Sequence, residues 1–203
     1  MAGPNAGIIL GAVLAGGESR RMGRPKEGVL LPGGRPMIEP ILDAMREAFG
    51  SVIVAGACAG YECAGRPGVL HIRDGQPGLG PLAGLEALLA SGAADGYVVA
   101  ACDQPMVTAV LLHRLAQEAG PRGRFFKAVR SGEHLDPLPG YFPSCWLASV
   151  TAALAEGRRS LRALVRSAMV EWVPLDDSDA GKLASINAPE DLGLLPGVQG
   201  VRP

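Results

Sequence analysis

No stretch of this chain holds the roughly 18 consecutive apolar residues that a membrane span requires, so no membrane association is expected. Met1 to Gly7 is a short small-residue tail without the basic start of a secretory leader, and the cytoplasm is the expected location. An excess of charge is missing too. The formal net charge of −1 excludes the broad basic face that holds nucleic acid by counterion release. Cys58, Cys63, Cys102 and Cys145 include no CxxC pair, and no His stands at zinc-finger spacing. Reduced thiols are expected, although Cys58 and Cys63 are near enough in sequence to meet. His71, His113 and His134 are unclustered, so surface or packing roles are expected of them. Repeats, low-complexity tracts and a domain linker are also lacking. One domain over residues 1–203 is expected, with 1–7 and 196–203 as loose tails.

What the chain does have is apolar content: 48% hydrophobic residues and a mean hydropathy of +0.21, enough for a full core. Its 29 Gly and 17 Pro imply many tight loops between short elements. Short apolar runs alternate with helical-period stretches, the pattern of a wound βαβ sheet. The runs at Ile8–Leu14, Ser51–Ala55, Gly68–Ile72 and Gly96–Cys102 read as strands. Met37–Phe49 places Ile38, Ile41, Leu42, Met45 and Phe49 on one helical face. Pro81–Ala90 reads as a helix opened by proline, and Val107–Glu118 as another. Phe125–Arg130 and Leu138–Phe142 read as strands around a turn at Ser131–Asp136. Trp146–Leu154 and Ser160–Ser167 read as short helices, Met169–Val173 as a last strand and Asn187–Leu192 as a closing helix.

Directly behind the first strand, LAGGESRRMGRPK at 14–26 concentrates four basic residues and three glycines. Paired glycines let backbone N–H groups approach a phosphate, and Arg or Lys then neutralises it. The two better-known phosphate motifs do not fit. Gly16 and Gly17 are adjacent, so there is no GxGxxG, and the second strand ends in Val54, Ala55, Gly56 without a ribose-binding acid. Gly23 is followed by Arg24, Pro25 and Lys26, not by the Lys-Ser or Lys-Thr of a Walker loop. An irregular cationic loop remains, in which Lys26 can act as a point charge on a phosphate.

Two carboxylates share that rim, because ligands of wound sheets sit beyond the carboxyl ends of the strands. Asp103 follows YVVAAC and precedes Gln104 and Pro105, a position from which a carboxylate can hold Mg²⁺ against phosphate oxygens. Its competing reading, a cap for the next helix, is better filled by Thr108. Asp74 follows the third strand, ahead of GQPGLG and GPLAGL, and reads as a ribose or metal-steering group or as a turn residue. In GPLAGL, Ala83 and Gly84 keep the first helical turn small, either for a ligand or for packing on the sheet. Asn187 with Glu190 forms a capping-box pattern around Pro189, and on local chemistry the cap is the preferred reading.

These segments resemble the MobA-like nucleotidyltransferases, most closely the molybdenum cofactor guanylyltransferases, over nearly the whole chain. LAGGESRRMGRPK is similar to the family's opening LAGGxSxRMGxxK, GGRPMIEPIL to its next segment, DGQPGLGPLAGL to its third-strand loop, ACDQP to its metal aspartate motif and SINAPEDL to its closing asparagine motif. The resemblance implies an α/β fold: a single three-layer α/β/α domain with a mostly parallel sheet, of the nucleotide-diphospho-sugar transferase (glycosyltransferase-A-like) type. It implies that Leu14, Ala15, Gly16 and Gly17 line the base and phosphates, that Arg21 and Lys26 bind the triphosphate, that Asp74 binds the nucleotide and Asp103 the Mg²⁺. Asn187 is implied to complete the metal or phosphate site, and it can cap a helix as well. Two departures stand out: Ala55 where guanylyltransferases often carry asparagine, and Asp136 before Pro137 where histidine is common.

The implied reaction is attack of the terminal phosphate of molybdopterin cofactor on the α-phosphorus of GTP, releasing pyrophosphate, with Arg21, Lys26 and Asp103 as the catalytic set. Such a reaction needs positioning and charge neutralisation more than a strong base, consistent with the absence of a His, Cys or Ser triad. The acceptor is expected over the C-terminal half, near Arg130–Tyr141 and Arg158 and Arg159. Proteins that handle the molybdenum cofactor are the expected partners. Rival readings are a cytidylyltransferase or sugar-phosphate transferase of the same class, a nonenzymatic cofactor-delivery protein, and a nicotinamide oxidoreductase. The last is weakened by the missing dinucleotide motif.

Overall fold

Strand β1, Ile9–Ala15, is covered on both faces, which is why its apolar run is unbroken: Val13 and Ala15 enter one core, Ala12 and Leu14 the other. In this computed structural model the described residues are 7–16, 21–75, 79–120, 126–131, 134–166, 170–174, 179 and 181–195, with the backbone alone for 126–131, 134–136 and 194. The elements after β1 are α1 (Ile38–Phe49), β2 (Val52–Gly56), β3 (Val69–Ile72), α2 (Pro81–Ala90), β4 (Gly96–Ala101), α3 (Ala109–Ala119), β5 (Phe126–Ser131), β6 (His134–Pro143), α4 (Leu147–Ala155), α5 (Leu161–Arg166) and β7 (Val170–Pro174).

The strands form one sheet in the order β3-β2-β1-β4-β6-β5-β7. All neighbours are parallel except β6, which runs antiparallel to both β4 and β5. Helices α1 and α3 cover the Val13 face, and α2, α4 and α5 cover the Leu14 face. The result is the expected three-layer α/β/α arrangement with a mostly parallel sheet. Ile38, Ile41 and Met45 of α1 are fully buried, and each such side chain contributes roughly 1.5–3 kcal/mol on leaving water.

Helix ends follow local chemistry. Thr108 caps α3 by accepting from the Leu111 N–H at 3.4 Å, as its placement suggested. Gly50, with φ +77°, closes α1 by donating to the Arg46 carbonyl at 2.8 Å.

The turn expected over Ser131–Asp136 is shorter than that. β5 runs to Ser131 and β6 already begins at His134, with Ser131 opposite His134. The irregularity lies further along, where Val129 pairs with Asp136 but Ala128 pairs with Gly140. Pro137 and Pro139 have no N–H for either ladder, so the strand bulges at this point. Within that bulge, the Leu138 carbonyl accepts from Gln104, just past the end of β4, at 2.8 Å.

Candidate active site

Because β1, β3 and β4 are parallel, their carboxyl ends open on one rim. Leu14 and Ala15 are still inside β1 and buried, so only their backbone can meet a ligand, and the Leu14 carbonyl already accepts from the Cys102 N–H at 3.0 Å. Gly16 follows with φ +102°, and a Cβ there would lie 3.0 Å from the Ala57 nitrogen. Glycine is required at this corner. Gly17 and Arg20 fall outside the described residues. The first cationic position after them, Arg21, is exposed, as is Arg24.

The loop then descends into a 3-10 turn at Lys26–Gly28 that is tied down from below. Glu27 is only 1% exposed and accepts from the Gly60 N–H at 3.0 Å. Gly28 lies so close to the Gly60 carbonyl that a Cβ would meet its oxygen at 2.0 Å. A small separate core of Val29, Met37 and Ile186, with Met22 and Leu192 against it, joins the basic loop to the C-terminal segment. This explains how residues 161 positions apart in sequence meet.

They meet at the Lys26 ammonium, which donates to Asp103 Oδ2 at 2.8 Å and to Asn187 Oδ1 at 2.7 Å. The Lys26 and Asp103 side chains are 17% and 15% exposed, so the pair is partly desolvated yet reachable. Asp103 is aimed by its backbone. Its carbonyl accepts from the Ile186 N–H at 2.8 Å, directly before Asn187.

The capping-box reading of Asn187 is overturned. The 3-10 helix starts at Pro189, and the Asp191 carboxylate accepts from the N–H groups of Asn187 at 2.7 Å and Ala188 at 2.9 Å. Asn187 donates to the Ser185 carbonyl at 3.2 Å, which leaves its Oδ1 facing Lys26. Those two N–H bonds, then nearby Arg21 and Lys26, hold Asp191 below the usual carboxylate range.

Asp74 stands apart from this cluster. It lines a cavity of about 680 Å³ with residues 57–64, His71 and Arg73, and among the described residues no hydrogen bond or ion pair joins it to Asp103. His71 fills a structural role there: its Nε2 lies 2.9 Å from the Gly56 carbonyl. Gly84 is likewise a packing residue, since a Cβ would come within 3.2 Å of the Ala55 carbonyl. The structure therefore brings together Lys26, Asp103 and Asn187, with Arg21 near Asp191 and Asp74 on a neighbouring cavity.

A hard divalent cation fits these residues. Asp103 Oδ2 and Asn187 Oδ1 already converge on a cationic nitrogen, and oxygen donors of this kind, completed by phosphate and water, suit Mg²⁺. Among the described residues there is no group of three or more His, Cys, Asp or Glu able to hold a metal without such help.

Gln104 went unnoticed in the sequence and is central to the site. It is 2% exposed, accepts from the Ala101 N–H at 3.0 Å, and donates to the carbonyls of Leu138 at 2.8 Å and Leu183 at 3.4 Å. It thus fastens the end of β4 to the β6 bulge and the C-terminal segment. The only sequence signal was an amide between Asp103 and Pro105 in an apolar setting. Gln104→Leu is expected to cost roughly 1–3 kcal/mol in urea unfolding, because buried partners are left unpaired, and to lower kcat/KM by loosening Asp103. Beside Gln104 lies a second cavity of about 360 Å³, lined also by Pro81, Leu138, Arg159, Arg162 and Ser185.

Residues 11–172 match the family described as the MobA-like NTP transferase domain. The chain belongs to that family. A probable molybdenum cofactor guanylyltransferase of Opitutus terrae is 35% identical over 194 residues, covering 92% of this chain and 94% of that protein. The molybdenum cofactor guanylyltransferase of Xanthomonas euvesicatoria pv. vesicatoria is 36% identical over 190 residues, covering 91% and 93%. Among solved structures, molybdopterin-guanine dinucleotide biosynthesis protein A from Archaeoglobus fulgidus superposes with a TM-score of 0.76 at 26% identity, covering 91% of this chain and 95% of that one. The sheet and its helical layers are of the nucleotide-diphospho-sugar transferase type.

Proposed function

We propose that this chain, acting as one domain over residues 1–203, is a molybdenum cofactor guanylyltransferase: it transfers GMP from GTP to the phosphate of molybdopterin and releases pyrophosphate. The observation that carries the reading is the meeting of Lys26, Asp103 and Asn187 at the carboxyl ends of β1 and β4, in a chain whose relatives are so named. Asp103 and Asn187 would hold Mg²⁺, which when bound supplies charge neutralisation at phosphate oxygens. Lys26 and Arg21 neutralise the triphosphate, and the backbone of Leu14, Ala15 and Gly16 gives it room, with Gly17 assigned to the same role from its motif alone. Asp74 lines the 680 Å³ cavity and would meet the nucleotide there.

The incoming phosphate monoester is already ionised near neutral pH, so the residues need only hold it in line and spread the charge that develops. The 360 Å³ cavity suits the acceptor, because Arg159 and Arg162 border it and Gln104 connects its wall to Asp103. Ala55 is fully buried in β2 and presents no polar side chain to a base. Base selection therefore falls to groups around the larger cavity, and CTP is the competing substrate. Reading the site as an Mg²⁺-dependent enzyme, rather than as a delivery protein, rests on the same cluster.

The test is pyrophosphate release from GTP, CTP, ATP and UTP, each with and without molybdopterin. Release with GTP that depends on molybdopterin is the expected result. Selective release with CTP would replace the guanylyl reading, and nucleotide binding without release would favour a delivery protein.

A further inference from the structure

Two buried thiols that the transfer chemistry does not use lie against the nucleotide cavity. Cys58 and Cys63 are free cysteines with their Sγ atoms 2.7 Å apart, and both line the 680 Å³ cavity. Each thiol also points at the Tyr61 carbonyl, at 3.4 Å from Cys58 and 3.7 Å from Cys63. Cys58 holds φ +42°, an uncommon backbone for a side-chain-bearing residue, which folds the loop back so that positions five apart meet.

This loop touches the cationic loop at three points. Ala57 abuts Gly16, the Gly60 N–H binds Glu27 beside Lys26, and the Gly60 carbonyl packs on Gly28. Tyr61 anchors its far side by donating to Glu39 at 3.1 Å, and Arg66 stacks 4.3 Å from the Tyr61 ring centre. A change at the two sulfurs is therefore felt both in the cavity wall and under Lys26.

We propose that Cys58 and Cys63 are a modification site: they form a reversible disulfide that weakens nucleotide binding at the adjoining cavity. The proposal rests on the reading of that cavity as the nucleotide site. The oxidant is a low-molecular-weight disulfide. The Cys63 thiolate attacks one of its sulfurs, and one small thiolate leaves to take up a proton. Cys58 then loses its proton, attacks the Cys63 sulfur and expels the second small thiolate. Two protein S–H bonds are lost, one S–S bond is formed, and the small disulfide is reduced to two thiols. The order follows from the contact between them: the hydrogen bond from Cys58 holds Cys63 below the ordinary thiol value, while Cys58 itself is pushed up by that bond and by burial. Oxidation removes the thiol protons that hold the two sulfurs to each other and to the Tyr61 carbonyl, and draws the loop tighter, away from the arrangement that supports Gly16 and Glu27.

The experiment treats the full chain with oxidised glutathione, blocks remaining thiols with iodoacetamide, and digests with trypsin. Both cysteines fall in the one peptide spanning 47–73, because Arg66 precedes Pro67 and resists cleavage. The expected product is that peptide lighter by two hydrogen atoms and unalkylated, while exposed Cys145 reacts as a separate thiol. GTP binding, measured by calorimetry with Mg²⁺, should weaken severalfold on oxidation and recover with dithiothreitol. Cys58→Ser and Cys63→Ser should each make binding insensitive to the oxidant. An alkylated 47–73 peptide after oxidation overturns the disulfide, and a disulfide with unchanged GTP affinity overturns the coupling. Failure of the reduced protein to bind GTP would count against the nucleotide reading instead, with the peptide mass still deciding the disulfide.

Discussion

Asp103→Ala is expected to lower nucleotidyl transfer by roughly 10²–10³-fold or more at saturating Mg²⁺, the scale of losing one preorganised electrostatic contact at a reacting phosphate. The variant should still fold. What positions residue 103 is backbone: its carbonyl accepts from the Ile186 N–H, and the neighbouring Gln104 bridges β4, Leu138 and Leu183. Alanine keeps all of this. The carboxylate itself is bound to Lys26 in a part-exposed pair, so its loss leaves an ammonium that water and Asn187 can still serve. Thermal unfolding near the wild-type midpoint together with lost pyrophosphate release is therefore the predicted pairing. Wild-type turnover in Asp103→Ala would remove this residue from the metal site. Asp103→Asn separates charge from shape: if the negative charge is what matters, the amide should be almost as inactive as alanine.

That the place of Asp103 just past a strand end is legible from the sequence and the contacts of Gln104 are not has a physical basis. Asp103 ends an unbroken apolar strand and stands before a proline, so both its location and its chemistry are local facts. Gln104 acquires its role from Leu138, 34 positions away, whose carbonyl lies beyond the last β4–β6 pair, Val99 with Gly140. The strands and helices are readable because hydrophobic period is local, and their boundaries differ by one or two residues except at the start of β6, which comes four residues earlier than expected. The turn between β5 and β6 is shorter than the sequence suggests, because Ser131, Gly132 and Asp136 are residues typical of turns. At Asn187 two carboxylates one residue apart compete: Glu190 matches the capping pattern, yet Asp191 makes the bonds. The support beneath the cationic loop, Glu27 with Gly60 and Gly28 against Gly60, joins segments whose pairing no periodicity encodes. Function was legible where a motif concentrates charge behind a strand, and illegible where distant segments must touch.

Lys26→Ala should produce a comparable loss in kcat/KM and, separately, a gain in metal binding. An ammonium about 4 Å from a phosphate charge, at an effective dielectric near 20, interacts by about 4 kcal/mol before desolvation is charged against it. Each 1.36 kcal/mol is tenfold in rate, so even half of that contact corresponds to roughly 30-fold. Lys26→Arg should recover only part of the rate, because a planar fork replaces a compact point charge between Asp103 Oδ2 and Asn187 Oδ1. In the free protein the same ammonium occupies both oxygens that a cation would use. Removing it should therefore strengthen Mn²⁺ binding in the absence of nucleotide, read by calorimetry or by loss of the free-ion paramagnetic signal. A merely structural lysine would lower stability and leave metal affinity unchanged or reduced. Tighter metal binding with slower transfer is the combination that identifies Lys26 as a charge that must leave Asp103 and turn to the triphosphate.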